Sequence, residues 1–205
     1  MKDKVSCKVV LCGDSGVGKT SLCTKMKFPE KMLNTPSTTI GAEFSVKNIE
    51  CSNFILMLEL WDTAGQEKYK SLCKSYFRHG QVFLLIFDVT CHTSYASLSN
   101  WINEVLDKSL SNPLLIIIGN KVDLPNRAIS KAEARRFAST FNALYFEISA
   151  KDNLGLEELE GEIVKHLLPK VIIQTTKNIN NANEDIINFK EEKLHKNSCC
   201  YNYLF

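Results

Sequence analysis

Short apolar runs alternate along the chain with stretches in which apolar residues recur at helical spacing. The apolar runs predict strands, and the amphipathic stretches predict helices between them. Two of the runs, "QVFLLIFDVT" and "LLIIIGN", are apolar at almost every position, which is typical of strands covered on both faces. The order of elements therefore predicts an α/β domain, in which a mostly parallel sheet is flanked by helices.

The same pattern, together with turn and capping signals, sets the expected boundaries. The predicted strands cover residues 4–12, 43–51, 54–62, 81–90, 114–120 and 144–149. The predicted helices cover residues 18–28, 68–78, 94–110, 130–142 and 154–168. The second and third strands are expected to form a hairpin around Ser52 and Asn53. Ser130 and Glu133 have the spacing of a capping box, which predicts that a helix begins there.

The chain is expected to divide into a folded domain and a tail. Pro169 ends the last predicted helix, because proline cannot continue a helix interior. The segment after it is rich in asparagine and has few residues that could form a core. We therefore expect one domain over residues 1–169 and a flexible tail over residues 170–205.

Composition narrows the class of protein. A hydrophobic share of 44% and a charged share of 23% are ordinary for a globular domain. The formal net charge of +2 gives no strong positive field, so no nucleic-acid partner is expected. No apolar run approaches the roughly 18 residues that a membrane span needs. The first residues also lack the apolar stretch of a signal peptide, so we expect a cytoplasmic protein.

The eight cysteines do not form a metal-binding or disulfide pattern. Six of them stand inside the predicted domain without C-x-x-C spacing, at positions 7, 12, 23, 51, 73 and 91. We expect these six to be small buried apolar residues with free thiols in a reducing compartment.

The first predicted strand ends in "GDSGVGKT", which matches the phosphate-loop pattern G-x-x-x-x-G-K-S/T between a strand and a helix. The glycines allow a tight turn whose N–H groups, with the positive helix end, bind phosphate oxygens. Lys19 is expected to reach the terminal phosphates, and the Thr20 hydroxyl to coordinate Mg²⁺. The predicted phosphate-binding residues of this loop are Asp14, Ser15, Gly16, Val17, Gly18, Lys19, Thr20 and Ser21. The loop alone does not identify the base.

Two later loops indicate guanine. "GNKVDL" follows an apolar strand and places Asn120, Lys121 and Asp123 at its carboxyl end, where open α/β sheets bind ligands. A carboxylate accepts the adjacent N1–H and amino group of guanine, whereas adenine presents a lone pair there. The Lys121 stem can lie along the base. The second loop, "ISAK", adds Ser149, Ala150 and Lys151, and the Ala150 N–H is expected to donate to the guanine carbonyl.

Two further segments suit a switch that depends on the γ-phosphate. "LELWDTAGQEKY" brings Asp62 to a strand end, where it can hold Mg²⁺ through water. Gly65 can donate its N–H to the γ-phosphate, and Gln66 can orient the attacking water as the catalytic residue. In "STTIGAEF", Thr39 is expected to bind Mg²⁺ and the phosphate site only with the triphosphate present.

Over residues 5 to about 168 the sequence resembles a Ras-like small GTPase, because "GDSGVGKTS", "TTIGAEF", "WDTAGQE", "GNKVDL" and "ISAK" occur in that family's order. "IGAEF", "LELWDTAGQE", "KYKSL" and "YFRHG" resemble the Rab branch. The resemblance implies a six-stranded P-loop G domain, slow GTP hydrolysis to GDP and work in vesicle traffic at the cytosolic face of an intracellular membrane. It also implies an exchange factor, an activating protein, effectors at the switch regions, and a GDP-dissociation inhibitor or escort protein.

One departure concerns the base. The Rab branch carries an aromatic residue before its first switch that stacks on the guanine, whereas this chain reads "FPEKMLNTPS", one residue longer than usual. Lys31 or Met32 falls near that position, and Phe28 lies upstream. Either Met32 covers the base poorly or Phe28 replaces the missing ring. We expect weaker cover of the base and faster nucleotide exchange.

Cys199 and Cys200 are adjacent, and Rab proteins commonly carry two geranylgeranyl groups on such a pair. Two lipids anchor a protein firmly, whereas one does so weakly. Here "YNYLF" follows Cys200, so the pair is not a C-a-a-X box. The tail also lacks a polybasic segment. Lipidation of both cysteines is the expectation, with palmitoylation or no modification as the alternatives.

Two other functions remain open on the sequence alone. The chain could be a GTP-bound structural subunit with little functional hydrolysis, for which the unusual ending and altered base cover leave room. It could also be a P-loop nucleotide kinase, although such an enzyme needs a lid with arginines and gives Asn120 and Asp123 no purpose.

Overall fold

A computed structural model describes residues 2–33, 39, 41–51, 54–65, 76–110 and 112–167 of the chain. Two compact units are distinguished, residues 1–163 and residues 164–205. The six strands, and the helices up to residue 163, belong to the first unit. Residues 164–167, the described part of the second unit, are also helical. The predicted tail, residues 170–205, and residues 68–75 of the helix predicted over 68–78 lie outside the described residues.

Six strands form one sheet in the order β2-β3-β1-β4-β5-β6. Their bounds are β1 Asp3–Cys12, β2 Ala42–Glu50, β3 Phe54–Thr63, β4 Val82–Asp88, β5 Leu114–Asn120 and β6 Leu144–Glu147. Among these six strands, only β2 and β3 pair antiparallel, and the four other pairings are parallel. The predicted fold class, a six-stranded and mostly parallel sheet flanked by helices, is therefore confirmed.

The parallel register aligns the strand ends that carry the predicted site residues. Leu11 pairs with Asp62, Asp88 with Asn120, and Gly119 with Glu147. Because parallel strands end at the same edge of a sheet, the loops after β1, β3, β4, β5 and β6 emerge on one side. That edge is where the fold collects the predicted motifs.

Among the described residues, four helices stand between strands and a fifth follows β6, while residues 76 and 77 are also helical. Their bounds are α1 Lys19–Lys27, α2 His92–Ala96, α3 Leu98–Lys108, α4 Lys131–Thr140 and, within the first unit, α5 at residues 156–163. The single helix predicted over 94–110 is wrong in detail, because it begins earlier and is interrupted at Ser97. The Ser97 hydroxyl donates to Thr93 O at 3.0 Å, and such a bond to the preceding turn distorts a helix. The helix start predicted at Ser130 is confirmed, since Ser130 Oγ accepts from Glu133 N at 3.2 Å.

The core lies on both faces of the sheet, because all seven residues of β4 are buried. Phe77, Phe83, Phe87 and Trp101 are its largest aromatic members. Among the helices of the described residues, none combines the length and the apolar character that crossing a membrane requires.

The cysteines agree only in part with expectation. Cys7 and Cys12 are buried, whereas Cys23, Cys51 and Cys91 are half-buried. The prediction of buried residues is therefore wrong for these last three. Burial raises the pKa of the Cys23 thiol to about 11, so this thiol stays protonated at neutral pH.

Candidate functional site

The phosphate loop turns from β1 into α1, and its lysine faces back over the loop. Lys19 is only 6% exposed, and its Nζ donates to Gly13 O at 2.8 Å and to Asp14 O at 2.7 Å. No side chain caps the N-terminus of α1, and its first turn contains no acidic residue. The first N–H groups of this helix, beside an ammonium group, form a site suited to an anion.

Gly18 shows why this loop needs glycine. Its φ of 98° lies in the left-handed region, and a Cβ added there would collide with the Asn120 side-chain amide. Gly65, after β3, likewise has no room for a side chain. A Cβ at Gly65 would overlap Lys19 Nζ and lie 2.5 Å from the carbonyl carbon of Asp14. The structure thus brings Gly65 against the phosphate loop, and its contact with the γ-phosphate stays a prediction.

Thr20, Thr39 and Asp62 converge beside the lysine. Thr20 Oγ1 donates to Asp62 Oδ2 at 2.6 Å and lies 3.0 Å from Thr39 Oγ1. Asp62 is 1% exposed, and burial raises its carboxyl pKa, although the bond from Thr20 and the charge of Lys19 partly oppose this. Its Oδ1 is buried without a hydrogen-bond partner in the part of the chain that the structure describes.

This arrangement fits Mg²⁺. The ion prefers hard oxygen ligands and keeps several waters, so two hydroxyls and one carboxylate suit it. The Asp62 oxygen without a partner among the described residues is a buried acceptor at this point. Within the described ranges, no group of three or more His, Cys, Asp or Glu side chains is placed to hold a metal ion.

Asn120, at the end of β5, connects the loops. Its Nδ2 donates to Val17 O at 2.8 Å, and its Oδ1 accepts from Ala150 N at 3.1 Å. The amide therefore joins the phosphate loop to the loop after β6. The Ala150 N–H, predicted to donate to a guanine carbonyl, donates to Asn120 here, so its role toward the base stays a prediction.

The predicted base-binding side chains are held by neighbours. Ser149 Oγ donates to Asp123 Oδ1 at 2.8 Å and accepts from Asp152 N at 3.1 Å, which orients the Asp123 carboxylate. Lys121 has a left-handed φ of 68° and pairs with Asp88 Oδ2 at 2.7 Å. Lys151 is exposed at the end of its loop.

Three contacts around these loops were not found by sequence reasoning. Asp88, which anchors Lys121, stands at the carboxyl end of β4, a position that could have revealed it. Arg127 forms two hydrogen bonds with Glu147, at 2.8 and 3.2 Å, and so links the segment after β5 to β6. Trp101 Nε1 donates to Asp14 Oδ1 at 2.9 Å. A tryptophan on an amphipathic helix carries no sequence signal of such a contact.

The segment after α1 contains Phe28 and Met32, the two side chains considered for covering the base. Met32 is 86% exposed and Phe28 is 49% exposed. The Pro29 carbonyl accepts from Lys25 Nζ and from Asn153 Nδ2, both at 2.9 Å. Because Asn153 follows the loop of Ala150, the turn with Phe28 lies beside the predicted base site. Gln66, Cys199 and Cys200 lie outside the described residues.

Comparison with known proteins identifies the class. Residues 8–169 match the Ras family. Ras-related protein RABA1g of Arabidopsis thaliana is 37% identical over 161 residues, covering 78% of this chain and 74% of that protein. Putative ras-related protein Rab-5B of Dictyostelium discoideum is 37% identical over 162 residues, covering 78% and 75%. Ras-related protein Rab11B of Nicotiana tabacum is 35% identical over 161 residues, covering 78% and 74%.

The chain belongs to the Ras family of small GTPases, proteins that use GTP, GDP and Mg²⁺. Within that family its relatives are Rab-related, and the chain is a Rab-like GTPase switch of membrane traffic. The alternative of a structural subunit without functional hydrolysis is not favoured.

Proposed function

We propose that this Rab-like GTPase binds its nucleotide at one site, built from the phosphate loop, the loops after β5 and β6, and the residues around Thr20. The observation that carries the proposal is the Asn120 amide, which bonds to Val17 O at 2.8 Å and to Ala150 N at 3.1 Å. A buried side chain, 2% exposed, thereby joins the loop suited to phosphate with a loop suited to guanine. A single nucleotide needs both at a fixed separation.

The polyphosphate is bound by backbone N–H groups of the phosphate loop and by the Lys19 ammonium. Gly65 adds its N–H from the other side when the γ-phosphate is present. Thr20, Thr39 and Asp62 would hold Mg²⁺, which when bound supplies neutralising charge to the β- and γ-phosphate oxygens. The residues assigned to phosphate are Asp14, Ser15, Gly16, Val17, Gly18, Lys19, Thr20, Ser21, Thr39 and Gly65.

The base is read by the two later loops. The Asp123 carboxylate accepts from N1–H and the amino group of guanine, and Ser149 keeps it oriented. Lys121, held by Asp88, lies along the base, while Ala150 and Lys151 complete the rim. A site built for these donors rejects a base that lacks them by several powers of ten.

Hydrolysis depends on positioning of water by Gln66. Phosphoryl transfer needs oriented reactants and charge stabilisation, and an additional arginine accelerates it by about 10³ to 10⁵. No arginine of this sequence is recognisable as such a group, so we propose a slow intrinsic rate that an activating protein increases.

Partners are proposed to bind near the switch segments. Phe44, Trp61 and Tyr76 form a row of aromatic rings, with centroids 5.1 Å apart at both contacts. Phe44 is exposed, and the other two are half-buried. Partly exposed aromatic side chains are typical anchors of interfaces. An effector, an exchange factor, and a GDP-dissociation inhibitor or escort protein are the proposed partners.

We further propose that lipids on Cys199 and Cys200 hold the protein on the cytosolic face of an intracellular membrane. The support is the adjacent pair of thiols, since two chains give firm anchoring where one gives marginal binding. The tail 170–205 then connects the GTPase domain to the membrane.

Two measurements test the nucleotide site and its chemistry. Protein purified with Mg²⁺ is expected to carry GDP or GTP, identified by chromatography of the released nucleotide. Single-turnover hydrolysis of GTP is expected to fall at least about tenfold in Gln66→Leu, because the attacking water loses its orientation. Gln174→Leu makes the same replacement in the tail and is the matched control. Bound ATP, or equal rates in Gln66→Leu and wild type, would contradict the proposal.

A further inference from the structure

The phosphate loop carries an acidic side chain that is held from outside the loop. Asp14 follows Gly13 directly, and its Oδ1 accepts a hydrogen bond from Trp101 Nε1 at 2.9 Å. Trp101 belongs to α3 and is 1% exposed. A hydrogen bond to a carboxylate in such a partly buried place is stronger than one between neutral groups. The indole therefore restricts where the Asp14 carboxylate can point.

A carboxylate in this loop is unfavourable for a polyanion. Lys19, the cation proposed to bind the terminal phosphates, contacts the carbonyl of the same Asp14 residue at 2.7 Å. Residue 14 therefore lies beside the cation of the proposed phosphate site. Like charges repel strongly where water is partly excluded. An Asp14 side chain free to rotate toward the phosphates would weaken nucleotide binding.

The position of Trp101 draws the carboxylate to one side of the loop. α3 packs against β4, whereas Thr20 bonds to Asp62 at the end of β3. Since β3 and β4 flank β1 on opposite sides, the indole and the proposed Mg²⁺ site lie on opposite sides of the strand that leads into the loop. Gly65 also packs closely against the backbone of residue 14, because a Cβ added at Gly65 would lie 2.5 Å from the Asp14 carbonyl oxygen.

We propose that Trp101 is a positioning residue that keeps the Asp14 carboxylate turned away from the nucleotide's phosphates and thereby slows nucleotide release. The inference rests on the proposed nucleotide site. It adds a residue of α3, outside every loop assigned to the ligand, to the determinants of nucleotide affinity. The effect is greater for the triphosphate than for the diphosphate, because the triphosphate carries more negative charge.

The test compares four full-length proteins: wild type, Trp101→Phe, Asp14→Asn and the double variant. Each is loaded with fluorescent GDP or a fluorescent non-hydrolysable GTP analogue, and release is followed with Mg²⁺ and excess unlabelled nucleotide. Trp101→Phe is expected to release GDP about tenfold faster, and the triphosphate by a larger factor. The double variant is expected to release no faster than Asp14→Asn alone, because no carboxylate remains to be freed.

Loss of packing is controlled separately. Phe137 packs against the same core cluster as Trp101 and belongs to α4, so Phe137→Leu weakens that cluster without touching the phosphate loop. Its thermal unfolding is expected to shift as in Trp101→Phe, while its release rates stay at the wild-type value. Should Trp101→Phe not fold, benzothienylalanine at position 101 keeps the ring size and removes the N–H donor.

Each outcome decides a different claim. Release from Trp101→Phe at the wild-type rate would overturn the role of Trp101 while leaving the proposed function intact. Equal acceleration by Trp101→Phe in the wild-type and in the Asp14→Asn backgrounds would also overturn it, since the effect would then be one of packing. Failure of wild type itself to bind guanine nucleotides would overturn the proposed function.

Discussion

The Asp123 carboxylate is proposed to decide which base the site accepts, and Ser149 Oγ donates to it at 2.8 Å. In Asp123→Asn, the amide can donate to the 2-oxo group of xanthine but presents one donor to the guanine amino group. We expect the affinity for GDP to fall by at least about 10²-fold and xanthosine diphosphate to become the preferred ligand. Competition between the two nucleotides measures this, and an unchanged preference for GDP would contradict the role of Asp123.

Thr20 is a proposed Mg²⁺ ligand, and we expect its replacement to affect GTP more than GDP. Its hydroxyl lies 2.6 Å from Asp62 Oδ2 and 3.0 Å from Thr39 Oγ1, so Thr20→Asn places a larger amide among the proposed Mg²⁺ ligands. We expect affinity for GTP to fall about tenfold more than affinity for GDP, because only the triphosphate brings Thr39 to the ion. Thr20→Ser keeps the hydroxyl and is expected to restore the preference. Equal losses for the two nucleotides, measured with Mg²⁺ by calorimetry, would count against this assignment.

Individual site residues were predictable where a chemical requirement fixes both residue type and spacing. Lys19, Asn120 and Asp123 are such cases, and the structure brings their loops to one edge of the sheet. Trp101 was not predictable, because its spacing on α3 is that of any core residue and its partner is 87 positions away. Arg127 was missed for a similar reason. Its bonds to Glu147 depend on how the segment after β5 lies beside β6, which the sequence does not indicate.

Among the elements, strands were predicted more accurately than helix ends. The apolar run of β4 specified a doubly covered strand, and Val82–Asp88 is buried throughout. The interruption at Ser97 depends on its side-chain hydroxyl, which bonds to Thr93 O. The spacing of apolar residues along the chain does not indicate which rotamer a serine adopts. Ser130 is the opposite case, because a capping box is encoded locally and its bond to Glu133 N forms as expected.

The ion pair between Arg127, in the segment after β5, and Glu147 of β6 predicts that the stability of the domain depends on pH. Burial tends to raise the Glu147 pKa, but hydrogen bonds from Arg127 and Tyr145 outweigh it and hold the pKa below its usual value. A lowered carboxyl pKa contributes stability that is complete above the unfolded value, 4.5, and is lost as the pH falls through the folded value. Glu147→Gln is therefore expected to cost about 1–2 kcal/mol at pH 7.

Thermal unfolding of wild type and Glu147→Gln over a pH series checks this expectation. The difference between the two proteins should be largest near neutral pH and shrink in acid, below pH 4.5. Glu157→Gln, an exposed carboxylate on α5, is the matched control. A difference that persists unchanged in acid would mean that Glu147 acts through packing and not through its charge.

The segment between α1 and the first switch predicts fast nucleotide exchange. Met32 is 86% exposed, and by the resemblance Lys31 or Met32 falls near the position where the Rab branch has an aromatic residue. We expect GDP to leave faster than from the Nicotiana tabacum Rab11B measured in parallel. Met32→Phe is expected to slow release by about fivefold or more, because stacking of an aromatic ring on a base contributes roughly 1–3 kcal/mol. Leu106→Phe, an exposed position on α3, controls for an added ring.

Two results would refute weak base cover. One is release from wild type as slow as from Rab11B. The other is a Met32→Phe variant with the wild-type rate, which would indicate that Phe28 already covers the base from its turn beside Asn153.

At the scale of the whole molecule, the switch is useful in membrane traffic only if the domain stays near a membrane, and the adjacent Cys199 and Cys200 are the proposed attachment points. Each buried CH₂ of a lipid contributes about 0.8 kcal/mol, so two chains bind firmly and one binds reversibly.

Cys199→Ser and Cys200→Ser are each expected to lower the membrane-bound fraction in part, and the double variant to abolish it. Cys51→Ser, at a half-buried thiol of the domain, is the control. Fractionation of cells, with the mass of the C-terminal peptide, measures both attachment and modification. A double variant as membrane-bound as wild type would show that something other than these thiols holds the protein there.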